Sequence, residues 1–162
     1  ISDGEGTFTP ERSGGLPLYQ VIELTESAEY DPKAFLHKVK NRSGLFAHLG
    51  TNDCREVERM IASGDKKAEL VYEAMAINTV KNIGAAAAVA RGDVEAVILT
   101  GGIACSEMFT RMIRERVEFI APVIVYPGEN EMQSLALGGL RVLRGEEKAK
   151  VFSMLSTERE SK

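Results

Sequence analysis

The 162-residue sequence contains few of the residues that build disulfide frameworks or metal centres. Its only cysteines, Cys54 and Cys105, are too few for a disulfide framework, and their spacing is not that of a metal site. Its two histidines, His37 and His48, have no partner at a spacing typical of a metal site or a catalytic triad. We therefore expect no disulfide-stabilised fold and no catalytic histidine, and a reducing cytoplasm is the expected location.

Long apolar runs and basic clusters are also absent. No apolar run approaches the length of a membrane span, and no signal-peptide pattern is present. The formal net charge is −4, without a basic cluster dense enough to bind nucleic acid. We therefore expect no membrane and no nucleic-acid partner. Hydrophobic residues at 44% and charged residues at 27% are ordinary for a globular protein, and the length predicts one domain over 1–162.

The first fifteen residues lack an initiator methionine, a helix-capping signal and a leading strand. They are rich in glycine, which predicts a loop over 1–15, and they resemble the interior of a longer chain. Arg12 lies in the middle of this loop. It is either a solvated surface arginine or a guanidinium that binds phosphate or carboxylate through two parallel hydrogen bonds. The residues alone leave both interpretations open.

The stretch from Val94 to Phe109 organises the chain. Its first six residues, 94–99, are mostly apolar and rich in β-branched side chains, which predicts a buried strand. Gly101 and Gly102 then place bare backbone at the carboxyl end of the strand, and Ser106 is suited to cap the next helix. Open α/β sheets bind ligands at this edge, although a glycine pair there can also be a plain tight turn.

A second strand–turn–helix unit follows the first. The run 119–126 predicts a strand whose pairing begins after Pro122, and Pro127 with Gly128 predicts a turn. Glu131 then lies near the start of another helix. If the two strands are parallel, Glu131 falls on the same edge of the sheet as Gly101.

Helical patterns fill most of the remaining chain. Asp53 and Arg55 flank the start of one helix. They are either simply a helix cap and a surface charge or functional residues, and the residues alone leave both interpretations open. The longest helix is predicted from Asp65 to about Arg91, and its small-residue run 84–88 favours close packing against another backbone. A short helix is expected after residue 146, and the tail 157–162 is expected to be disordered.

Six blocks follow one another along the chain: DGEGTFTPERSG, LGTNDCREVE, GDKKAELVYEAMA, LTGGIACSEMF, FIAPVIVYPGENEM and LALGGLRVLRGEEKA. In this order they closely resemble the C-terminal half of the butyrate kinases. These enzymes belong with the acetate kinases in the superfamily of acetate and sugar kinases, chaperones and actin. The resemblance implies an α/β fold, a ribonuclease-H-like half-domain of the actin-like ATPase superfamily, truncated at its N-terminus and helix-rich with a small parallel sheet.

The resemblance also implies an ATP or ADP site. Cys54 stands where acetate kinases carry an aromatic residue between an aspartate and an arginine, which makes butyrate kinase the closer relative. Arg12 matches the arginine that contacts the transferred phosphoryl group and the acyl carboxylate. Glu131 matches the glutamate that helps to hold Mg²⁺ through water. The implied ATP-binding residues are Asp53, Cys54, Arg55, Gly101, Gly102, Ile103 and Ala104.

The implied activity is phosphoryl transfer between ATP and butyrate or a branched short-chain acid, giving ADP and an acyl phosphate. The family's phosphate loop, its catalytic aspartate and most of its acyl pocket lie in an N-terminal half that this sequence does not contain. We therefore expect this chain to need that half as a partner, to be inactive alone, and to form homo-oligomers. A non-catalytic nucleotide-binding module and an oligomerisation module are the alternatives.

Overall fold

The computed structural model describes residues 4–27, 30–128 and 131–149, which fall into two compact units divided after Gly128. The prediction of one domain over 1–162 stays a prediction, and the expected tail 157–162 lies outside the described residues. The second unit contributes one described helix, α7 (Glu131–Leu143). The first unit contains α1 (Leu18–Thr25), α2 (Pro32–Asn41), α3 (Gly44–Leu49), α4 (Cys54–Ala62), α5 (Lys66–Val89), β1 (Val97–Gly101), a 3₁₀ turn (Gly102–Cys105), α6 (Glu107–Val117) and β2 (Val123–Pro127).

Four helices of the first unit begin at a residue whose side chain caps them. The side chains of Asp31, Asp53, Asp65 and Ser106 each accept a hydrogen bond from a backbone N–H in the first turn, at 2.9–3.0 Å. Such a cap stabilises a helix by about 1 kcal/mol. The predicted starts of α4, α5 and α6 are therefore confirmed.

The two strands form a parallel pair in which Val97 lies opposite Val123 and Gly101 lies opposite Pro127. The sequence predicts the first strand at 94–99, but the strand begins three residues later and ends two residues later. Val94 belongs to the preceding turn, since its N–H donates to the carbonyl of Gly92. The bounds of the strand follow its pairing with β2, which the apolar run by itself does not define.

The core of the first unit lies where α4, α5 and α6 meet the sheet. Tyr72 and Ala76 of α5 are fully buried. Phe109 of α6 is also buried, and its ring centre lies 5.3 Å from that of Tyr72. Buried members of this core are Leu45, Val57, Ala68, Tyr72, Met75, Ala76, Val97, Phe109, Ile113, Val117 and Ala121.

One face of the sheet is exposed. Ile98 and Tyr126 each retain 59% of their accessible surface, and Ile124, opposite Ile98, retains 39%. Both faces of a parallel sheet are normally covered. The first unit therefore presents an apolar sheet face to solvent.

At Gly84 the expected close approach of another backbone is not seen. No atom of another described segment lies within 4 Å of the place where a Cβ on Gly84 would stand.

Among the described residues, no helix combines the length and the apolar character needed to span a bilayer. The expected short helix after residue 146 is not formed in residues 146–149, and the following residues lie outside the described range.

Candidate functional site

The end of β1 has a backbone conformation that favours glycine. Gly101 has φ +88°, where a side chain is strained, and the space beside it is open because nothing lies within 4 Å of the position that a Cβ would take. Gly102 opens the 3₁₀ turn, and Ser106 caps α6 directly after it. The carbonyl of Gly101 accepts a hydrogen bond from the N–H of Gly128, at 3.2 Å, so both strands end at one edge. The predicted strand, glycine pair and helix start are confirmed, with an exposed backbone ledge between them.

The start of α4 faces this ledge. Asp53 caps the helix and also binds Arg55, with Nε to Oδ1 at 3.0 Å and Nη2 to Oδ2 at 2.8 Å. Chiefly through these side-chain hydrogen bonds, Arg55 lowers the pKa of Asp53 to about 2. The Asp53 carboxylate is therefore ionised at neutral pH, and both of its oxygens are already hydrogen-bonded. The Arg55 side chain is 87% exposed.

One cavity of about 720 Å³ joins the two features. Five of the seven predicted ATP-binding residues line it, and this volume lies within the range of small-molecule sites. Gly101, the last residue of β1, directly precedes the lining residue Gly102 but is not itself in the lining. Ala104 is buried and lines neighbouring cavities. The lining residues are Pro10, Asn52, Asp53, Cys54, Arg55, Glu58, Gly102, Ile103, Cys105 and Ser106.

A polar cluster in the wall of this cavity, formed by Glu58, Ser106 and the buried Tyr72 hydroxyl, is not among the sequence predictions. The Tyr72 hydroxyl lies 3.0 Å from Oε1 of Glu58 and 3.2 Å from Oγ of Ser106, and Ser106 also donates to Glu58. Burial raises the pKa of Tyr72 far above its ordinary value, so its hydroxyl remains a donor. The one signal in the sequence is a tyrosine on an apolar stripe, because a buried tyrosine hydroxyl normally has a hydrogen-bond partner.

The two cysteines both line the cavity but differ in environment. Cys54 is half-buried, and burial raises the pKa of its thiol, with a hydrogen bond to Tyr72 acting in the opposite direction. Cys105 is exposed. The small Cys54 side chain leaves room in the cavity that an aromatic residue would occupy.

The Arg12 loop is fixed by backbone hydrogen bonds to α2 and α3. The carbonyl of Thr9 accepts from Leu45 N–H at 3.2 Å, and the carbonyl of Glu11 accepts from Ser43 N–H at 2.8 Å. Within the described residues, the exposed Arg12 guanidinium has no ion-pair or hydrogen-bond partner. Arg12 lines a separate cavity of about 330 Å³, together with Leu36, Val39 and Lys40 among others. The structure therefore does not bring Arg12 into the cavity of the ATP-binding residues.

Glu131 is the first residue of α7, as the sequence predicts, and lies in the second unit. Its position relative to Gly101 stays a prediction. The part of the chain that the structure describes contains no group of three or more histidine, cysteine or acidic side chains that could hold a metal ion. Because Asp53 is bound by Arg55, a Mg²⁺ ion here would depend on phosphate oxygens and water for most of its ligands.

Comparison with known proteins identifies the family of this chain. A family model described as the acetokinase family matches residues 4–160. The chain belongs to the acetokinase family. It is 50% identical over 147 residues to "Probable butyrate kinase 2" of Caldanaerobacter subterraneus subsp. tengcongensis. The aligned region covers 91% of this chain and 42% of that protein. This member of the acetokinase family therefore spans less than half the length of the curated relative that it matches, and the resemblance to butyrate kinase is confirmed.

Solved structures confirm the fold class. An acetate kinase from Porphyromonas gingivalis matches with a TM-score of 0.75 and 23% identity, over 86% of this chain and 41% of that one. An acetate kinase from Entamoeba histolytica matches with a TM-score of 0.73 and 16% identity, over 86% and 44%. A propionate kinase from Francisella tularensis matches with a TM-score of 0.69 and 19% identity, over 79% and 39%. The chain thus has the helix-rich, partial actin-like ATPase fold with a small parallel sheet.

Proposed function

We propose that this chain is the nucleotide-binding part of a short-chain carboxylate kinase. The complete enzyme transfers a phosphoryl group between ATP and butyrate or a branched short-chain acid, giving ADP and an acyl phosphate. The observation that carries the proposal is the single cavity between the start of α4 and the glycine ledge, lined by Asp53, Cys54, Arg55, Gly102 and Ile103. Membership of the acetokinase family supports the same reaction class.

In this proposal each group of residues has a separate task. The open backbone at Gly101 and Gly102 lets adenosine lie directly against the peptide planes, because no side chain intervenes. The Asp53–Arg55 pair forms the opposite wall, and the exposed guanidinium of Arg55 is free to contact the ligand with its outer face. Glu131 is the residue that would hold Mg²⁺ through water, and the bound ion would supply neutralisation of phosphate charge.

Arg12 acts at the other end of the nucleotide. Phosphoryl transfer depends mainly on positioning and on stabilising charge at the transferred group. An arginine on such a loop suits this task, since the backbone that carries it is held in place by hydrogen bonds before the substrate binds. Its separation from the adenosine cavity agrees with a role at the phosphoryl group and the acyl carboxylate.

Because the chain spans 42% of the length of its butyrate kinase relative, we propose that the remaining functional groups come from another part of a longer protein. That part supplies the phosphate loop, the catalytic aspartate and most of the acyl pocket. The chain alone is then inactive. We also propose that the complete enzyme is cytoplasmic and forms homo-oligomers.

The decisive experiment is an assay of the full-length protein that contains this chain. Incubated with ATP, Mg²⁺ and hydroxylamine, it should form acyl hydroxamate from butyrate or isobutyrate faster than from acetate. Arg55→Gln should weaken ATP binding, whereas Arg59→Gln, an exposed arginine one turn later on α4, should not.

The outcomes separate the alternatives. ATP binding without hydroxamate formation would indicate a nucleotide-binding module without kinase activity. Failure to bind ATP would leave an oligomerisation role and would remove the proposed function.

A further inference from the structure

Among the described residues that line the cavity between α4 and the glycine ledge, one carboxylate has an oxygen without a hydrogen-bond partner. Of the described residues that line it, Asp53 and Glu58 carry carboxylates. Both oxygens of Asp53 are bound by Arg55. Oε1 of Glu58 accepts from Ser106 and lies within hydrogen-bond distance of Tyr72. Oε2 of Glu58 has no hydrogen-bond partner within the described residues.

The hydroxyl groups of Tyr72 and Ser106 also fix the orientation of the Glu58 carboxylate. Tyr72 is fully buried on α5, and Ser106 is held at the start of α6 by the hydrogen bond from Phe109 N–H, at 2.9 Å. Because both hydroxyls approach the same oxygen, the other oxygen is directed away from them. Glu58 itself is half-buried and lines the cavity. A carboxylate held in this way is pre-oriented, so little conformational freedom is lost when it binds a donor.

We propose that Glu58 is a further ligand-binding residue of the nucleotide site, whose carboxylate accepts a hydrogen bond from the nucleoside. This inference rests on the proposed function, because it requires adenosine in the cavity. A nucleoside offers two kinds of donor, the ribose hydroxyls and the exocyclic amine of adenine. In both cases a neutral donor group of the nucleoside donates a hydrogen bond to a carboxylate oxygen of Glu58. Nucleotide analogues that lack one donor or the other distinguish the ribose hydroxyls from the adenine amine.

The test measures binding of Mg²⁺ complexes of ATP, 2′-deoxy-ATP, 3′-deoxy-ATP and purine riboside triphosphate, which lacks the exocyclic amine. It uses isothermal titration calorimetry on the full-length protein that contains this chain. A hydrogen bond to a charged group is worth about ten- to hundredfold in affinity. The wild-type protein should therefore bind one of the three analogues about ten- to hundredfold more weakly than ATP. The group that this analogue lacks is the donor that binds Glu58.

Glu58→Gln tests the carboxylate directly. The amide oxygen will face Tyr72 and Ser106, since both approach the same position, and the NH₂ group will face the cavity. The variant should bind ATP about ten- to hundredfold more weakly, with little change for the analogue, so the difference between the two ligands should disappear. Glu56→Gln is the matched control, because Glu56 is an exposed glutamate on α4 outside the cavity, and it should keep the difference.

Tyr72→Phe provides a second variant if Glu58→Gln does not fold. It keeps the ring packing against Phe109 but removes one hydroxyl that orients Glu58, so the difference between ATP and the analogue should shrink. A purely structural cluster would predict equal losses for all four ligands in either variant, and that result would overturn the inference. So would wild-type protein that binds all four ligands equally.

The inference and the proposed function fail in different ways. Protein that binds ATP and forms acyl phosphate, but shows no coupling between Glu58 and any analogue, would retain the function and overturn the inference. Protein that binds no ATP would overturn both.

Discussion

Gly44 approaches Thr9 so closely that a Cβ on Gly44 would lie 1.8 Å from the Thr9 carbonyl oxygen. Gly44 also has φ +57°, and it begins α3. This contact, with the hydrogen bond from Leu45 N–H to the same carbonyl, holds the Arg12 loop against the helices. Only a residue without a side chain can occupy the position.

The first prediction is that Gly44→Ala destabilises the protein far more than Gly50→Ala. Both glycines have positive φ, which costs an alanine about 1–2 kcal/mol. At Gly50 nothing lies within 4 Å of the new Cβ, whereas at Gly44 it meets backbone. Urea denaturation of both variants measures the difference, and equal losses of free energy of unfolding would contradict the close contact.

The second prediction concerns the Asp53–Arg55 pair. Because Arg55 lowers the pKa of Asp53 from 3.8 to about 2, the pair stabilises the folded state above about pH 4. This stabilisation is lost as the pH falls through the folded-state pKa, since the carboxylate is then protonated in both states. NMR titration should place the pKa of Asp53 near 2, and Arg55→Ala should return it towards 3.8. An unchanged titration in the variant would show that Arg55 is not the cause.

The third prediction is that Arg12→Ala in the full-length protein lowers kcat by about 10²–10³ with a much smaller effect on ATP binding. The reason is that Arg12 lies outside the cavity of the ATP-binding residues. Steady-state kinetics measures the effect on kcat and the effect on the KM for ATP separately. The matched control is Arg42→Ala, because Arg42 lies 5.4 Å from the centre of the Phe46 ring and lines neither cavity. A variant with normal kcat and a raised KM for ATP would assign Arg12 to nucleotide binding.

The fourth prediction is that iodoacetamide modifies Cys105 before Cys54, and that ATP slows the reaction at Cys105. Cys105 is exposed at the cavity, whereas burial raises the pKa of the Cys54 thiol and keeps it in the less reactive protonated form. Peptide mass spectrometry at neutral pH follows each site. The control is Cys105→Ser, in which fast alkylation should be lost. Rapid modification of Cys105 at the same rate with saturating ATP would place the nucleotide elsewhere.

The fifth prediction is that this chain alone self-associates through the exposed face of its sheet. Ile98 and Tyr126 are each 59% exposed there, and large apolar patches mark interfaces or aggregation sites. Ile98→Lys should shift the sedimentation profile towards monomer. Leu70→Lys, at a 68% exposed position on α5, should not. A wild-type chain that is monomeric, with a melting temperature independent of concentration, would contradict the prediction.

The sequence determined the starts of α4, α5 and α6 and the glycine ledge, because these features are local. The Asp65 carboxylate accepts from N–H groups two and three residues away, so the chain carries both partners within one turn. The φ of +88° at Gly101 is likewise a property of the residue and its immediate neighbours. The resemblance to butyrate kinase also needs only the order of motifs along the chain, so it identifies the family without any knowledge of tertiary contacts.

The tertiary structure alone decided which of these local features share a site. Glu58 meets Tyr72 and Ser106 across separations of 14 and 48 residues, and no local pattern indicates that they share a hydrogen-bond cluster. The same packing places Asp53 and Gly102 on one cavity and Arg12 on another. The bounds of β1 follow its pairing with β2 for the same reason. Long-range contacts depend on how the helices pack around a common core, and side-chain periodicity specifies only which face is buried.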